Sequence, residues 1–259
     1  MNLKTLKKIR DKIISTRLGL LLTEGAIANR NDGEWIIRSI GNDRRKIPVL
    51  SELVGSSIGI PTRHASSKHK RRMKQDYTKS GFVEIEDGDI VFDVGAYVGG
   101  FTEIAARNAK EVYAIEPNTK IMDSLHYNTQ NLINVTIIPK AAWKEKTKIE
   151  VNQSLFPNDN SIFQPDDLSI GQSFTVQAET IHQIAIDNCV EKIHFLKVEA
   201  EGAEPEVLQG ALGKGIRIEK ISVNTGPERN GETTTDKVAD ILYKNGYEVI
   251  KGYVVFGRL

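Results

Sequence analysis

The feature that most constrains this chain is a glycine-rich turn at residues 93–102, which stands between an apolar run and a helical pattern. The run at 90–94 reads IVFDV and predicts a buried strand. A second apolar run, at 112–115, follows the helical pattern and ends in Glu116. A glycine turn, a helix, a strand and an acid at the strand end form the layout of a nucleoside-binding βαβ unit.

The spacing of Gly95, Gly99 and Gly100 narrows the choice of nucleoside. A dinucleotide site needs G-x-G-x-x-G because the backbone must approach a pyrophosphate, but Tyr97 stands where the second glycine belongs. No Gly-Lys-Ser/Thr follows, so the Walker pattern is missing as well. The remaining pattern, Asp-x-Gly-x-x-x-Gly, resembles motif I of class I S-adenosylmethionine-dependent methyltransferases. The alternative is a plain strand-to-helix turn followed by an exposed glutamate.

Strand and helix patterns alternate through the rest of the chain. The predicted strands lie at 89–94, 111–115, 135–138, 193–198, 218–223, 247–250 and 253–256. The predicted helices lie at 100–109, 118–131, 204–212 and 234–244, and two extra strands, 148–151 and 174–177, flank a loop at 154–170. This order predicts an α/β fold with a mainly parallel sheet and an antiparallel C-terminal hairpin, an arrangement that resembles the seven-stranded, Rossmann-like class I methyltransferases.

A second motif, LKVEAEGAEPEVLQG at 196–210, leaves the fourth of these strands through a turn dense in carboxylates. It resembles the signature of FkbM-type methyltransferases, Leu-Lys-Ile-Asp-Val-Glu-Gly-Ala-Glu followed by a leucine and a glycine. The matching residues are Leu196, Lys197, Glu201, Gly202, Ala203, Glu204, Leu208 and Gly210. The DVGA at 93–96, the Glu116-Pro117 pair and the EDGD at 86–89 resemble the same family. The resemblance covers residues 80–213 and does not extend to 1–75.

The resemblance implies that S-adenosylmethionine is the cofactor. The residues predicted to bind it are Asp93, Gly95, Ala96, Tyr97, Gly99, Thr102, Glu116, Pro117, Ala141 and Glu199. Glu116 is expected to accept charge-assisted hydrogen bonds from both ribose hydroxyls, and Asp93 to organise the turn. Ala141 follows the third strand, where the adenine edge is expected. The polar pair Asn160-Ser161 is a further candidate near the cofactor.

Glu199 and Glu201 are the catalytic candidates, because they leave the fourth strand at the edge where ligands gather in open α/β sheets. We expect Glu199 to act as the base that takes a proton from a hydroxyl acceptor, or to hold that acceptor, with support from Glu201. Repulsion between the two is expected to raise at least one pKa. The family signature usually has an aspartate where this chain has Glu199. The glutamate keeps the charge, but its carboxylate reaches one methylene further. Alternatively, Glu201 and Glu204 only charge the first turn of the next helix.

Charge is distributed unevenly along the chain. Residues 1–80 contain 18 Lys and Arg against 7 Asp and Glu, a net +11, whereas the whole chain carries +1, so the remainder carries −10. We therefore predict a basic, mostly helical N-terminal extension, 1–80, and a methyltransferase domain, 81–259. The basic stretches at 3–22 and 63–74 either contact an anionic partner, such as nucleic acid, a membrane surface or a phosphorylated glycan carrier, or form a helical cap followed by a solvated linker.

Composition sets few further limits. Hydrophobic residues make up 39% and charged residues 27%, as in globular proteins, and no apolar run reaches the roughly 18 residues that span a bilayer. Cys189 is the single cysteine, which excludes an internal disulfide and a thiolate metal cage and fits a cytoplasmic location. We predict no metal site and leave the oligomeric state open.

Three functions are compatible with these motifs. The family resemblance implies O-methylation of a hydroxyl on a sugar, a glycan or glycolipid, or another small molecule. A second interpretation is an RNA methyltransferase that holds phosphates with its basic extension, although no Asn/Asp-Pro-Pro-Tyr/Phe motif or cysteine follows the fourth strand. A third is a non-catalytic module that retains the cofactor fold, against which the intact Gly95, Gly99 and Glu116 argue.

Overall fold

The computed structural model describes residues 26–31, 34–39, 44–48, 67–154, 160–163, 169–229 and 231–259. Its strands are β1 (Ala26–Asn31), β2 (Glu34–Ser39), β3 (Arg44–Pro48), β4 (Ile90–Val94), β5 (Glu111–Ile115), β6 (Val135–Ile138), β7 (Ala141–Ala142), β8 (Thr147–Ser154), β9 (Ser169–Glu179), β10 (Lys192–Val198), β11 (Arg217–Asn224), β12 (Glu248–Ile250) and β13 (Val254–Arg258). Its helices are α1 (Ser67–Tyr77), α2 (Gly100–Ala105), α3 (Met122–Thr129), α4 (Ile181–Asp187), α5 (Glu204–Ala211) and α6 (Thr235–Lys244).

Seven strands form one sheet in the order β12-β13-β11-β10-β4-β5-β6. Neighbouring strands run parallel from β11 through β10, β4 and β5 to β6, whereas β13 runs antiparallel to β11 and β12. The central strands are buried almost throughout, as parallel strands between two helical layers must be. This topology confirms the predicted α/β fold, a Rossmann-like class I methyltransferase sheet with an antiparallel C-terminal hairpin.

Apolar side chains cover both faces of this sheet. On one face, α4, α5 and α6 pack against residues that include Phe92 and Leu196. On the other face, Met73 and Tyr77 of α1 are buried together with Phe101 of α2. The Tyr77 ring meets the Phe101 ring edge-on, with 5.7 Å between ring centroids. Helix α1, which carries part of the second basic stretch, is therefore packed into the core of the domain.

The sequence predicted helix over residues 3–30 of the extension and left residues 34–60 unassigned, and the helical prediction is wrong for residues 26–30. Strands β1, β2 and β3 form an antiparallel sheet, in which Asn31 pairs with Glu34. The breaks at 32–33 and 40–43 both contain a glycine, which favours short hairpin strands over one continuous helix. The helical stripe predicted at 3–22 lies outside the described residues, so its helix and its membrane contact stay predictions, as does the domain boundary at residue 80.

Several local details differ from the expectations. The helix predicted at 118–131 begins only at Met122, because a 3₁₀ turn occupies Thr119–Ile121. Helix α4 was not predicted; the Thr180 hydroxyl caps it by accepting the Gln183 N–H at 3.0 Å. Strands β7, β9 and β8 form a small separate sheet, which contains the two extra strands predicted from the sequence. Within the described part of the chain, no helix is long and apolar enough to cross a membrane.

Candidate active site

Polar side chains converge at the carboxyl ends of the four central strands. Asp93 lies on β4, Glu116 directly follows β5, Glu199 directly follows β10, and Asn224 ends β11. Asp93, Glu116 and Asn224 are buried, whereas the Glu199 side chain is 29% exposed. Ligands of open α/β sheets bind at this edge, so the candidate site lies here.

The two motif glycines make room for neighbouring segments of the protein. Gly95 has a φ of 73°, and a Cβ added there would lie 1.9 Å from the backbone oxygen of Glu199. Gly99 has a φ of 89°, and its Cβ would lie 3.1 Å from Leu125 of α3. From the sequence, we expected these glycines to let a ligand approach the backbone. In the structure, they allow the turn to pack against the end of β10 and against α3.

Asp93 holds the glycine turn in place through contacts of both its carboxylate oxygens. One of its carboxylate oxygens accepts a hydrogen bond from the Thr102 hydroxyl at 2.6 Å, and the other lies 3.1 Å from the Nζ of Lys197. The backbone N–H groups of Gly95 and Ala96 both donate to the carbonyl at the end of β5. Because Asp93 and Thr102 are fully buried, direct contact of either with a cofactor stays a prediction.

Glu116 is held between two backbone donors. The N–H of Tyr97 donates to its Oε2 and the N–H of Asn118 to its Oε1, both at 2.8 Å. Burial raises the pKa of Glu116 to about 7, although these hydrogen bonds and the charge of Lys197 oppose the rise. The carboxyl group therefore titrates near neutral pH in the folded protein.

This arrangement fits S-adenosylmethionine. Each oxygen of Glu116 retains acceptor capacity beyond its single backbone donor, and a ribose diol has two hydroxyl donors to offer. Tyr97, with a φ of 50°, occupies the position where a pyrophosphate site needs a glycine, and this cofactor has no phosphate. Pro117 is half-buried beside Glu116. The Ala141 side chain packs into the core of the small sheet, so only its backbone is left for the predicted contact with adenine.

Lys197 links Asp93, at the end of β4, to Glu199, directly after β10. Its side chain is 1% exposed, and its Nζ lies 3.1 Å from Asp93 Oδ1 and 3.1 Å from Glu199 Oε2. It also donates to the carbonyl oxygens of Val94 and Gly95, at 3.1 and 2.9 Å. The sequence matched Lys197 to the family signature but assigned it no role. Lys197 lies among apolar residues at the end of a buried strand. This position indicated that the lysine needs buried carboxylates as partners.

Glu199 is an anchored carboxylate with a lowered pKa. Burial alone would raise its pKa, but the charge of Lys197 and hydrogen bonds from Tyr77, Lys197 and Asn224 outweigh that effect. Of the two glutamates for which at least one raised pKa was expected, Glu199 does not show the rise. Its carboxylate is ionised at neutral pH, and 29% of its side chain is exposed.

The turn after β10 is shaped by Glu204. This buried side chain accepts hydrogen bonds from the N–H groups of Ala200 and Gly202, both at 3.0 Å, and from the Thr234 hydroxyl at 3.1 Å. Burial raises its pKa, although the hydrogen bonds oppose the rise. Glu204 therefore acts as a structural brace at the start of α5, which agrees with the alternative weighed for it from the sequence.

Glu201 lies in this turn, next to residues from two other loops. It has a φ of 48°, and its carbonyl accepts a hydrogen bond from the Ser161 hydroxyl at 2.6 Å. Arg229 donates to the carbonyl of Gly202 at 3.0 Å and stacks 4.1 Å from the centre of the Phe163 ring. The structure thus brings the predicted Ser161 to the site and adds Arg229, which the sequence analysis missed because nothing local distinguishes it.

Asn224 joins Glu199 to the loop after β11. Its Nδ2 lies 3.4 Å from Glu199 Oε1 and 3.3 Å from Glu228 Oε1, while its Oδ1 accepts the N–H of Gly226 at 3.0 Å. Among the residues that the structure describes, no group of three or more His, Cys, Asp or Glu is arranged to hold a metal ion.

Comparison with known proteins identifies one family. A family model described as Methyltransferase FkbM domain matches residues 93–249. No curated protein matches the sequence.

Solved structures with a similar chain trace are also methyltransferases or related proteins. Methyltransferase FkbM from Methylobacillus flagellatus KT is 18% identical, with a TM-score of 0.46, over 71% of this chain and 47% of that one. Fibrillarin from Aeropyrum pernix, solved with natively bound S-adenosylmethionine, is 11% identical, with a TM-score of 0.43, over 90% and 98%. Precorrin-6y C5,15-methyltransferase from Geobacter metallireducens GS-15 is 13% identical, with a TM-score of 0.41, over 74% and 87%. The chain spans about half the length of the Methylobacillus protein.

Proposed function

The chain belongs to the FkbM methyltransferase family, and on that premise we propose that it methylates a hydroxyl group of a sugar, a glycan or glycolipid, or another small molecule. Membership confirms the resemblance drawn from the three sequence motifs. The cofactor is S-adenosylmethionine. The observation that carries the proposal is the partly exposed side chain of Glu199, held by Lys197 at the same sheet edge as Glu116 and the glycine turn.

The cofactor side of the site orients and binds. S-adenosylmethionine, when bound, supplies a methyl group on a positively charged sulfur, which is already activated for transfer. Glu116 is the acceptor for the two ribose hydroxyls, and its own two N–H donors keep the carboxylate aimed. Asp93, tied to Thr102 and Lys197, keeps the turn in one conformation. Pre-organisation of this kind contributes several kcal/mol to a transfer reaction, up to about 7–11.

The acceptor side handles a proton. Glu199 is ionised at neutral pH, so it accepts a hydrogen bond from the hydroxyl of the acceptor and orients that oxygen. With the cofactor bound, the acceptor oxygen would bond to the methyl group as the bond between that methyl group and sulfur breaks, and the hydroxyl proton would pass to the Glu199 carboxylate. A lowered pKa makes Glu199 a weak base, so orientation is its larger contribution. Glu201, in the adjoining turn, is proposed to line the acceptor.

Local charge favours a neutral or cationic acceptor over RNA. Glu199, Glu201 and Glu228 all act electrostatically on Tyr77 and on Tyr253, which brings three carboxylates to one side of the site. Like charges repel a phosphate backbone, which disfavours an RNA substrate at this edge. The non-catalytic module remains a distinct alternative, because it requires cofactor binding without turnover. A cytoplasmic location also stays a prediction.

A methyl-transfer screen with labelled cofactor over sugars, glycolipids and RNA tests the proposal. We expect label in a hydroxyl-bearing small molecule or glycan. Glu199→Gln should lower turnover while S-adenosylmethionine still binds in calorimetry. Glu191→Gln, an exposed change just before the amino end of β10, is the matched control and should leave both quantities unchanged. Label found only in RNA, or full turnover by Glu199→Gln, would contradict the proposal.

A further inference from the structure

Helix α1 reaches the site from outside the segment that carries the family signature. The family match begins at residue 93, and α1 ends at Tyr77. Tyr77 is nevertheless only 4% exposed. It packs edge-on against Phe101, in the helix that follows the glycine turn. The last residue of α1 therefore lies inside the domain, next to the cofactor turn.

Tyr77 touches the charged network of the site at two of its members. The Nζ of Lys197 lies 5.2 Å from the centre of the Tyr77 ring, and the same Nζ is 3.1 Å from Glu199 Oε2. A hydrogen bond between the Tyr77 hydroxyl and the Glu199 carboxylate contributes to the raised pKa of Tyr77 and to the lowered pKa of Glu199. Ring and hydroxyl thus face the lysine and the glutamate together.

We propose that Tyr77 is a positioning residue of the active site, whose hydroxyl holds the Glu199 carboxylate toward the acceptor. This inference rests on the function proposed for Glu199. Helix α1 then borders the acceptor side of the site. A residue that precedes the family signature thus helps to place the Glu199 carboxylate, which faces the substrate.

The need for such a tether follows from the other contacts of Glu199. Lys197 holds one carboxylate oxygen, but the contact of Asn224 with the other is long, at 3.4 Å. With 29% of the side chain exposed, Glu199 has room to turn away from a bound acceptor. A donor on the side of α1 removes that freedom.

The surroundings of Tyr77 keep it a donor. Burial raises the pKa of Tyr77 well above 10, and the negative charges of Glu199, Glu228 and Glu201 raise it further. The hydroxyl is therefore protonated throughout the physiological pH range. A hydrogen bond that it donates to the charged form of Glu199 also keeps that carboxylate ionised.

Tyr77→Phe tests this role because it removes the hydroxyl and retains the ring that packs on Phe101 and Lys197. The titration of Glu199 is followed by NMR on protein with carbon-13-labelled glutamate carboxylates, assigned with Glu199→Gln. We expect the Glu199 midpoint to rise in Tyr77→Phe, and S-adenosylmethionine affinity to stay within about twofold. With the acceptor identified by the screen, kcat should fall roughly tenfold and KM much less, since one hydrogen bond to a charged group is lost.

Tyr113→Phe is the matched control, because it removes a tyrosine hydroxyl that bonds Glu111 at the amino end of β5, at 2.9 Å. It should leave the Glu199 midpoint and the kinetics unchanged. An unshifted Glu199 midpoint in Tyr77→Phe overturns the proposal, whether or not an acceptor has been found. A shifted midpoint with unchanged kcat overturns the positioning role. A screen that labels no hydroxyl compound counts against the proposed function and leaves the NMR result standing.

Discussion

The two ends of the central sheet each contain a buried lysine between two carboxylates, yet only one end is built for a ligand. At the carboxyl end, Lys197 of β10 contacts Asp93 and Glu199. At the amino end, Lys220 of β11 contacts Asp89 at 2.9 Å and Glu86 at 3.4 Å. The strands are neighbours and the ion pairs are chemically alike.

The partners of the two lysines differ in what else they hold. Glu86 is 74% exposed, so its ion pair with Lys220 is solvated. The main partner of Lys220 is the buried Asp89. Lys197 also binds the carbonyl oxygens of the glycine turn, and its partner Glu199 faces the ligand edge. A buried ion pair alone is therefore a weak sign of a functional site. Its position at the carboxyl ends of parallel strands, and its links to the cofactor turn, supply the meaning.

Replacing each lysine should separate the two ends most strongly. Lys197→Met leaves two buried or half-buried carboxylates without their lysine partner. The free energy of unfolding should therefore fall by about 3–5 kcal/mol, and the affinity for S-adenosylmethionine by at least about tenfold. Lys220→Met should cost about 1–2 kcal/mol, because Glu86 is already solvated, and should leave the affinity unchanged. Urea denaturation and calorimetry measure both. Equal losses in the two variants would contradict the comparison.

The turns at the two ends of β4 offer a second test. Gly95→Ala places a Cβ into the backbone of Glu199, and should destabilise the protein by roughly 2–4 kcal/mol through the clash and the positive φ. Gly88 has a φ of 85° and nothing within 4 Å of its Cβ position, so Gly88→Ala should cost only about 1–2 kcal/mol. Chemical denaturation checks the difference. Indistinguishable variants would mean that the turn does not depend on its contact with β10.

The two glutamates that flank β5 test the cofactor site directly. Glu116→Gln replaces an acceptor by an amide that opposes a backbone donor, so affinity for S-adenosylmethionine should fall roughly 30-fold. Glu111→Gln, at the amino end of the same strand, should bind as tightly as the original protein. Calorimetry at pH 8 gives both values. A cofactor affinity unaffected by Glu116→Gln would remove this residue from the site.

A further effect is expected from pH. The pKa of Glu116 is about 7 in the folded protein against 4.5 in the unfolded chain, so the native state holds a proton that the unfolded chain has lost between these values. Its contribution to stability therefore falls as pH rises from about 4.5 to 7, by on the order of 3 kcal/mol, and is constant above that window.

Cofactor affinity should move in the opposite direction over part of this range. Ionised Glu116 accepts stronger hydrogen bonds, so affinity should rise severalfold between pH 6 and pH 8. Calorimetry across that range, with Glu116→Gln as the pH-independent reference, measures the effect. An affinity that stays flat in the original protein, or that rises equally in Glu116→Gln, would assign the titration to another group.

Local patterns predicted most of the domain well. Strands β5 and β6 have the predicted bounds, because short apolar runs between turn residues are local signals. The extension was predicted poorly at 26–30, where an expected helix is a strand in antiparallel pairing. Helix α4 was missed because seven residues are too few for a clear period. Asp93, Glu116 and Glu199, which the sequence named, lie at one edge of the sheet, since parallel strands bring their carboxyl ends together.

What sequence alone determined is the order along the chain of the seven strands of the main sheet, the family, and the identity of Glu116 and Glu199 as strand-end acids, because these depend on spacing along the chain. Only the tertiary structure decided what holds those acids. Lys197 meets carbonyl oxygens more than a hundred positions earlier, and Tyr77 meets Glu199 across a comparable distance in sequence. Such contacts arise from how strands and helices pack in three dimensions. A periodicity or a motif, which compares each residue only with its near neighbours, does not contain them.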